Sequence, residues 1–248
     1  MFQFFIDEDQ VGKEYVTITG SDVNHICNVL RMKVGEKIRV STSGGKDYFC
    51  SIAEFGPDFV QADILDEEAP NTELPSKIYL FQALPKGDRM ETIIEKAVEL
   101  GVYEIIPVAM KFCVVKLDDK KAANKIRRWQ AIAESAAKQS KRSLIPQIHP
   151  VMTYKEAVAY AKECDVNLVP YENERGMVAT KEVMDKLTKG QSVSIMIGPE
   201  GGFAPEEIDA VRDDMQVISL GKRILRTDTA AICTMSMVMT ALEMADCQ

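Results

Sequence analysis

The chain has 248 residues, of which 46% are hydrophobic and 27% are charged, and its formal net charge is −8. This composition is typical of a soluble globular chain with one large domain or two smaller ones. No apolar run approaches the roughly 18 residues of a membrane span, and residues 1–10 are acidic, so we expect neither a membrane helix nor a signal peptide.

Cysteine and histidine usage argues against a metal centre. The six cysteines are scattered without any C-x-x-C pair, and there are only two histidines. We therefore expect free thiols in a reducing cytoplasm and no metal cofactor.

The positive charge is concentrated although the total is negative. Residues 111–142 hold ten Lys or Arg against three Asp or Glu, and residues 25–46 hold five against one. For a polyanionic partner, local patches of positive charge matter more than the total net charge, so a nucleic acid stays possible as a partner. Charge alone favours the simpler interpretation of solvated surface faces.

The N-terminal part is predicted to be a small β-structure with one helix. Ser21 can cap that helix, and apolar residues at positions 23, 26, 27 and 30 fall on one helical face. Short strand-like runs separated by glycine and proline turns indicate a small barrel or sandwich. These runs cover residues 37–41, 47–55 and 58–65.

Residues 66–76 are acidic, polar and twice interrupted by proline, as in a linker. They divide the chain into a predicted first domain over residues 1–70 and a second over residues 75–248. In the second domain, strands alternate with helices, which predicts an α/β fold with a mostly parallel sheet. The first of its helices has a predicted capping box at Asp88 and Glu91. Strands are predicted at 77–84, 104–110, 166–171, 192–197 and 216–220, and helices at 90–98, 126–136, 154–163, 179–188, 205–214 and from 229.

Three loops of the second domain follow predicted strands at residues 170–172, 198–203 and 220–229. Ligands of open α/β sheets bind beyond the carboxyl ends of the strands, so we expect one site built from all three loops. The glycine spacing in GPEGG matches neither a Walker loop nor a dinucleotide fingerprint. The last loop places Thr227 and Asp228 where either can cap the final helix. Its apolar residues and exposed backbone suit a neutral aromatic base better than a phosphate.

The segments IGPEGGF (197–203) and LGKRILRTDTA (220–230) resemble the signature of the bacterial 16S rRNA uridine-N3 methyltransferases, the RsmE family of the SPOUT superfamily. The resemblance extends through residues 25–40, 83–108 and 128–148, and so covers nearly the whole chain. The departures are small: Ala204 stands where Ser or Thr is common, and Asp228 where Glu is common.

The resemblance implies a PUA-like β-barrel over residues 1–70 and a SPOUT domain over residues 75–248 with a C-terminal trefoil knot. It implies a cytoplasmic homodimer that uses S-adenosylmethionine, releases S-adenosylhomocysteine and methylates one uridine of 16S rRNA or the small ribosomal subunit. For the apolar last helix, core burial within one subunit is the simpler alternative to a dimer interface.

The resemblance also implies roles for individual residues. We expect catalytic roles for Arg226 and Arg142. The expected cofactor-binding residues are Tyr171, Glu172, Ile197, Gly198, Pro199, Glu200, Gly201, Gly202, Leu220, Gly221, Ile224, Leu225, Arg226 and Thr229. The expected RNA-binding residues are His25, Arg31, Lys33, Lys86, Lys138, Lys141 and Arg142.

Two alternatives stay open at this point. A related methyltransferase could act on tRNA or on a ribose oxygen. A protein that only binds RNA during ribosome assembly would need neither the GPEGG nor the RILRT loop, so those loops favour an enzyme.

Overall fold

The computed structural model describes residues 1–67 and 72–246. The chain divides into two compact units, one of Met1–Glu73 with Ala137–Ile145, the other of Leu74–Ala136 with Pro146–Gln248. Part of the predicted linker, residues 68–71, lies outside the described residues. The predicted domain limits stay a prediction.

The first unit contains a five-stranded sheet in the order β1-β3-β4-β5-β2. β1 pairs with β3 in parallel, and the other neighbours are antiparallel. The sequence analysis found β3, β4 and β5 but missed β1 and β2. The strands are β1 Phe2–Ile6, β2 Tyr15–Thr19, β3 Lys37–Thr42, β4 Asp47–Phe55 and β5 Phe59–Asp66.

A short helix lies between β2 and β3, as predicted. It consists of α1 (Ser21–Asn24) and a π-helical turn (His25–Val29). The prediction that Ser21 caps it was wrong, because the preceding Gly20 is the N-cap, with φ of 73° and no side-chain cap bond. Glycine tolerates that left-handed conformation, which places Ser21 inside the first turn. Ile26 is fully buried in the core of this unit.

A buried polar cluster joins residues 137–145 to the sheet of the first unit. The Asp47 carboxylate accepts hydrogen bonds from the side chains of Arg39, Ser41 and Ser143. The Gln3 amide donates to Ser41 Oγ at 2.7 Å and to the Arg142 carbonyl at 2.6 Å. Because all of these side chains are buried, the cluster fixes the 137–145 segment against β1, β3 and β4.

The second unit is the predicted α/β structure. Its strand order is β12-β10-β11-β6-β7-β8, with β9 paired to β7, and every pair is parallel. The parallel sheet predicted from the alternation of strands and helices is confirmed. The strands are β6 Lys77–Ala83, β7 Val102–Ala109, β8 Gln147–Ile148, β9 Met152–Thr153, β10 Val166–Pro170, β11 Ser192–Ile197 and β12 Gln216–Ile218.

Within the described part of the chain, six helices belong wholly or partly to the second unit. They are α2 Arg89–Glu99, α3 Asp119–Ser140, α4 Tyr154–Ala161, α5 Val178–Met184, α6 Pro205–Asp209 and α7 Thr227–Asp246. The predicted apolar stripe of α2 is buried, but its capping box is absent: Asp88 makes no side-chain cap bond, and Glu91 pairs with Arg128. Both α5 and α6 are shorter than predicted. Of the helices in residues 1–67 and 72–246, none is long and apolar enough to cross a membrane.

Candidate functional site

A cavity of about 430 Å³ lies at the carboxyl ends of β10, β11 and β12. It is lined by the three loops that follow these strands and by the start of α7. Parallel strands order their carboxyl ends along one sheet edge, which is why loops distant in sequence meet here. The lining residues are Pro170, Tyr171, Glu172, Ile197, Gly198, Pro199, Glu200, Gly201, Gly202, Phe203, Leu220, Gly221, Arg223, Ile224, Leu225, Arg226, Thr227 and Ala230.

The structure brings together most of the residues that were predicted to bind the cofactor. Of the fourteen, Thr229 alone is not among the lining residues; it is exposed in the first turn of α7. The lining residues that the prediction omitted are Pro170, Phe203, Arg223, Thr227 and Ala230. Four of them lie within the three predicted loops, and Ala230 follows the last loop directly, so counting every loop residue plus one position would have found all five.

The glycine loop approaches its neighbours so closely that side chains would collide. A Cβ at Gly202 would lie 2.3 Å from Glu172 Oε1, and φ there is +72°. A Cβ at Gly201 would lie 2.9 Å from Cβ of Phe112. The glycines therefore serve two purposes, a left-handed turn at Gly202 and a close approach of the loop backbone to its surroundings.

Thr227 holds the glycine loop, β6 and α7 together. Its hydroxyl donates to the Gly198 carbonyl at 2.8 Å and accepts from the Gln82 amide at 2.9 Å. The residue is 5% exposed. The prediction that Thr227 or Asp228 caps the last helix was wrong, because α7 begins at Thr227 and both residues lie inside it. Thr227 instead fixes the cavity wall.

Glu200 is directed to the loop that follows β6. Its carboxylate accepts from the Lys86 backbone N–H at 3.0 Å and from the Arg89 guanidinium at 2.5 Å. Burial raises the pKa of Glu200, but these two donors and its own backbone N–H outweigh burial and hold the pKa below its usual range. The carboxylate is therefore ionised at neutral pH and fastens the glycine loop to the 85–89 segment.

The start of α6 compensates for the absent Ser or Thr cap at Ala204. The Glu207 carboxylate accepts from the Ala204 N–H at 2.8 Å and from the Lys111 N–H at 2.9 Å. Tyr154 donates its hydroxyl to the Glu207 carbonyl at 2.6 Å. The buried Glu207 carboxylate thus caps α6 at the point where the glycine loop ends, and it also fixes the turn that follows β7.

Arg226 is exposed, lines the cavity and directly precedes α7. Its carbonyl accepts the first hydrogen bond of that helix, from Ala230 N at 2.8 Å. The backbone at this point is thereby fixed, while the guanidinium can reach a ligand in the cavity. The other predicted catalytic residue, Arg142, belongs to the first unit.

Four of the predicted RNA-binding residues are exposed: His25, Arg31 and Lys33 in the first unit, and Lys86 in the second. These side chains are accessible to a phosphate. Arg31 has φ of 53°, so the backbone turns sharply there.

The other three predicted RNA-binding residues have partners within the first unit. Lys138 Nζ lies 3.2 Å from Asp22 Oδ1, and Lys141 Nζ donates to the Lys138 carbonyl at 3.2 Å. Burial, together with Arg39, lowers the pKa of Lys141. Arg142 is 3% exposed and pairs with Glu73 at 2.5 Å. Contact of Arg142 with RNA therefore requires the displacement of Glu73.

Comparison with known proteins defines the class first. The model of an RNA methyltransferase domain matches residues 72–239, and the model of an RNA methyltransferase PUA domain matches residues 18–65. The N-terminal PUA-type sheet and the C-terminal α/β domain are thereby confirmed as those of an RNA methyltransferase.

Full-length relatives then identify the family. The ribosomal RNA small subunit methyltransferase E of Bacillus subtilis is 38% identical over 90% of this chain and 88% of its own. The protein of that name from Neisseria gonorrhoeae, solved with S-adenosyl methionine, superimposes with a TM-score of 0.83 at 32% identity, covering 97% of each chain. A Legionella pneumophila putative methyltransferase, solved with the same cofactor, gives 0.84 at 31% identity and equal coverage. This chain belongs to the ribosomal RNA small subunit methyltransferase E family.

Within the described ranges, no group of three or more His, Cys, Asp or Glu side chains could hold a metal ion. The arrangement of the cavity instead offers backbone groups, apolar side chains and a nearby guanidinium. Such a site suits an organic ligand with both apolar and polar parts.

Proposed function

We propose that this protein transfers a methyl group from S-adenosylmethionine to N3 of one uridine in 16S rRNA, in the cytoplasm and without a metal ion. The observation that carries the proposal is the cavity formed by the 170–172, 198–203 and 220–229 loops. Family membership supports it, since relatives with this architecture are small-subunit rRNA methyltransferases and two were solved with the cofactor.

The cavity fits S-adenosylmethionine. Its volume of about 430 Å³ is in the range of pockets for small organic cofactors. Gly198, Gly201, Gly202 and Gly221 leave backbone N–H and C=O groups accessible to adenosine and to the methionine part. Glu172, beside Gly202, is compatible with a cationic sulfonium and would repel a phosphate.

Replacing Gly202 with alanine is expected to weaken S-adenosylhomocysteine binding by about tenfold or more. The left-handed backbone costs an alanine about 1–2 kcal/mol, and the Glu172 carboxylate, 2.3 Å from the new Cβ, would have to shift from its position in the cavity lining. Isothermal titration calorimetry measures the change. Gly176→Ala is the matched control, because Gly176 also has a positive φ, of +86°, but nothing lies within 4 Å of its Cβ position. Equal loss in both variants would contradict a specific role of Gly202.

The methyl transfer requires a methyl donor, a correctly positioned uracil and an acceptor for one proton. When bound in this cavity, S-adenosylmethionine would supply an electrophilic methyl group for transfer from its sulfur to N3, with S-adenosylhomocysteine as the product. The N3 proton must pass from uracil to solvent water, and the negative charge that develops on the ring is shared by N3, O2 and O4. Arg226, which lines the cavity, would stabilise that anion electrostatically. Because N3 lies on the pairing edge, the uridine must be unpaired or extruded.

Product analysis tests the proposal directly. Purified protein is incubated with methyl-labelled S-adenosylmethionine and, separately, small subunits, free 16S rRNA and tRNA, and the nucleosides are resolved by mass spectrometry. We expect 3-methyluridine from 16S rRNA or from small subunits. A label in tRNA, or on a ribose oxygen, would contradict the proposed target.

We further propose that His25, Arg31, Lys33 and Lys86 contact RNA phosphates, and that Lys138, Lys141 and Arg142 do so when their present partners are displaced. The exposed positions of the first four support this. Each phosphate contact releases bound counterions from the RNA, so affinity should fall steeply with salt.

Lys86→Ala is expected to lower the slope of log affinity against log salt by about 0.7 to 1, the loss of one phosphate contact. Fluorescence anisotropy with a 16S rRNA fragment over a salt series measures the slope. Lys96→Ala is the control, because the Lys96 side chain is 44% exposed on α2 and pairs with Glu99 at 2.8 Å. An unchanged slope for Lys86→Ala would remove this residue from the interface.

We also propose that the protein is a homodimer and that its C-terminal segment is threaded as a trefoil knot. For the dimer, support comes from α7: Met244 is 65% exposed, and a groove between α5 and α7 is lined by Met184, Leu187 and Met237. Methionine is enriched in protein interfaces, and Met184 and Met237 are half-buried in this groove. Sedimentation velocity at micromolar concentration tests the dimer, and a single monomer peak would contradict it.

A further inference from the structure

Phe112 is an exposed aromatic side chain beside the cavity. It follows β7 in the segment Met110–Cys113 and is 42% exposed. A Cβ at Gly201 would lie 2.9 Å from Cβ of Phe112, so the residue packs against the glycine loop. Phe112 therefore lies next to a residue that lines the cavity. Forming the cavity wall does not explain why its aromatic ring is exposed.

The turn that carries Phe112 is held firmly. Cys113 N donates to the Met110 carbonyl at 3.1 Å, and Met110 N donates to Cys113 Sγ at 3.4 Å. Lys111 N donates to Glu207 at 2.9 Å, and Cys113 is buried beneath the turn. The neighbours of Phe112 on both sides are thus fixed, and the aromatic ring is presented to solvent by a rigid backbone.

Two lysines lie on the chain segments that adjoin the glycine loop. Lys111 Nζ lies 5.8 Å from the centroid of the Phe112 ring and also pairs with Glu206. Lys86 is exposed on the loop after β6, whose backbone bonds to Glu200 of the glycine loop. The glycine loop is therefore flanked by the turn that carries the exposed Phe112 ring and Lys111, which is paired with Glu206, and by the segment that carries Lys86.

An aromatic ring with a lysine nearby is a combination that proteins use to hold unpaired nucleobases. Proteins that bind single-stranded RNA stack bases on aromatic rings and use nearby cations for the backbone phosphates. A target uridine that leaves its stack also leaves its neighbours without a stacking partner. A rigid ring beside the cavity can replace the lost contact without ordering a mobile loop.

We propose that Phe112 is a positioning residue that stacks on an unpaired base of the substrate RNA, next to the target uridine. The inference rests on the proposed function, because it requires RNA to enter the cavity from this side. It assigns Phe112 no part in cofactor binding and no chemical step.

Three substitutions separate stacking from simple apolar contact. Phe112→Ala is expected to raise KM for the RNA about 5- to 100-fold, as loss of one stacked base does in other proteins. Phe112→Trp should retain near-normal KM, whereas Phe112→Leu should resemble alanine. The affinity for S-adenosylhomocysteine and the thermal midpoint should be unchanged in all three. Met177→Ala is the control, since Met177 is 44% exposed in the same unit.

Each outcome is decisive. An unchanged KM in Phe112→Ala, or full rescue by leucine, overturns stacking. Conversion of the Phe112→Ala variant to a smaller species in sedimentation also overturns the stacking proposal, because the ring would then belong to a protein interface. If the unsubstituted protein methylates no RNA, the proposed function fails, independently of the comparison among variants. In that case direct RNA binding, measured by anisotropy for the same variants, still tests Phe112.

Discussion

Replacement of Arg226 with alanine is expected to lower kcat for methyl transfer by about 10²- to 10³-fold, while the affinity for S-adenosylhomocysteine changes little. The effect is that of removing one preorganised donor from a developing anion. Arg226 lines the cavity, and its backbone is fixed by the first hydrogen bond of α7. Single-turnover kinetics with saturating cofactor and calorimetry on the same preparations measure the two quantities.

Two further variants define the role of Arg226. Arg226→Lys keeps the charge but not the planar fork of donors. Its kcat should therefore lie between those of the unsubstituted protein and of Arg226→Ala. Lys222→Ala removes an exposed cation of the same loop that is not among the described cavity-lining residues, and it should leave kcat nearly unchanged. Equal losses of turnover and cofactor affinity in Arg226→Ala would make this residue a binding group only.

Asp47→Ala is expected to lower the free energy of unfolding by about 3–5 kcal/mol. The variant removes the carboxylate that accepts from Arg39, Ser41 and Ser143, and it leaves the Arg39 guanidinium without this counter-charge in the protein interior. The side chains of Arg39 and Asp47 are 7% and 5% exposed. Urea denaturation followed by circular dichroism measures the loss.

Glu99→Ala provides the comparison for Asp47→Ala. It breaks the Lys96–Glu99 ion pair on the surface of α2, where the two side chains are 44% and 37% exposed. Exposed pairs contribute about 0–1 kcal/mol, so this variant should unfold almost as the parent does. If Asp47→Ala were equally mild, the buried cluster would not stabilise the 137–145 segment.

The sequence allowed most of the second unit to be predicted, because its strands and helices have strong and distinct periodicities. The buried face of α2 and the parallel sheet followed from these patterns. The three loops of the cavity followed from the rule that ligands lie beyond strand ends. Thr227 was considered only as a cap, since nothing local shows that its hydroxyl bonds to Gly198 and Gln82.

What could not be predicted depends on partners that are distant in the chain. β1 and β2 pair with β3 and β5, so their short sequences carry little evidence of a strand by themselves. Arg142 and Asp47 belong to a buried cluster that links residues about a hundred positions apart. The predicted capping box is absent: Asp88 has φ of −97° and ψ of 8°, outside the extended region of a capping residue, and Glu91 pairs with Arg128 on another helix. The spacing of residues along the chain does not reveal partners that lie on other helices.

Thr227 has a consequence for how the protein is made. Its partner Gln82 precedes it by 145 residues, and that strand leaves the ribosome about 7 to 30 s earlier at ordinary rates of synthesis. The cavity wall cannot close before α7 has emerged and reached β6. Cofactor binding by a growing chain would thus mark the moment at which its C-terminal helix docks.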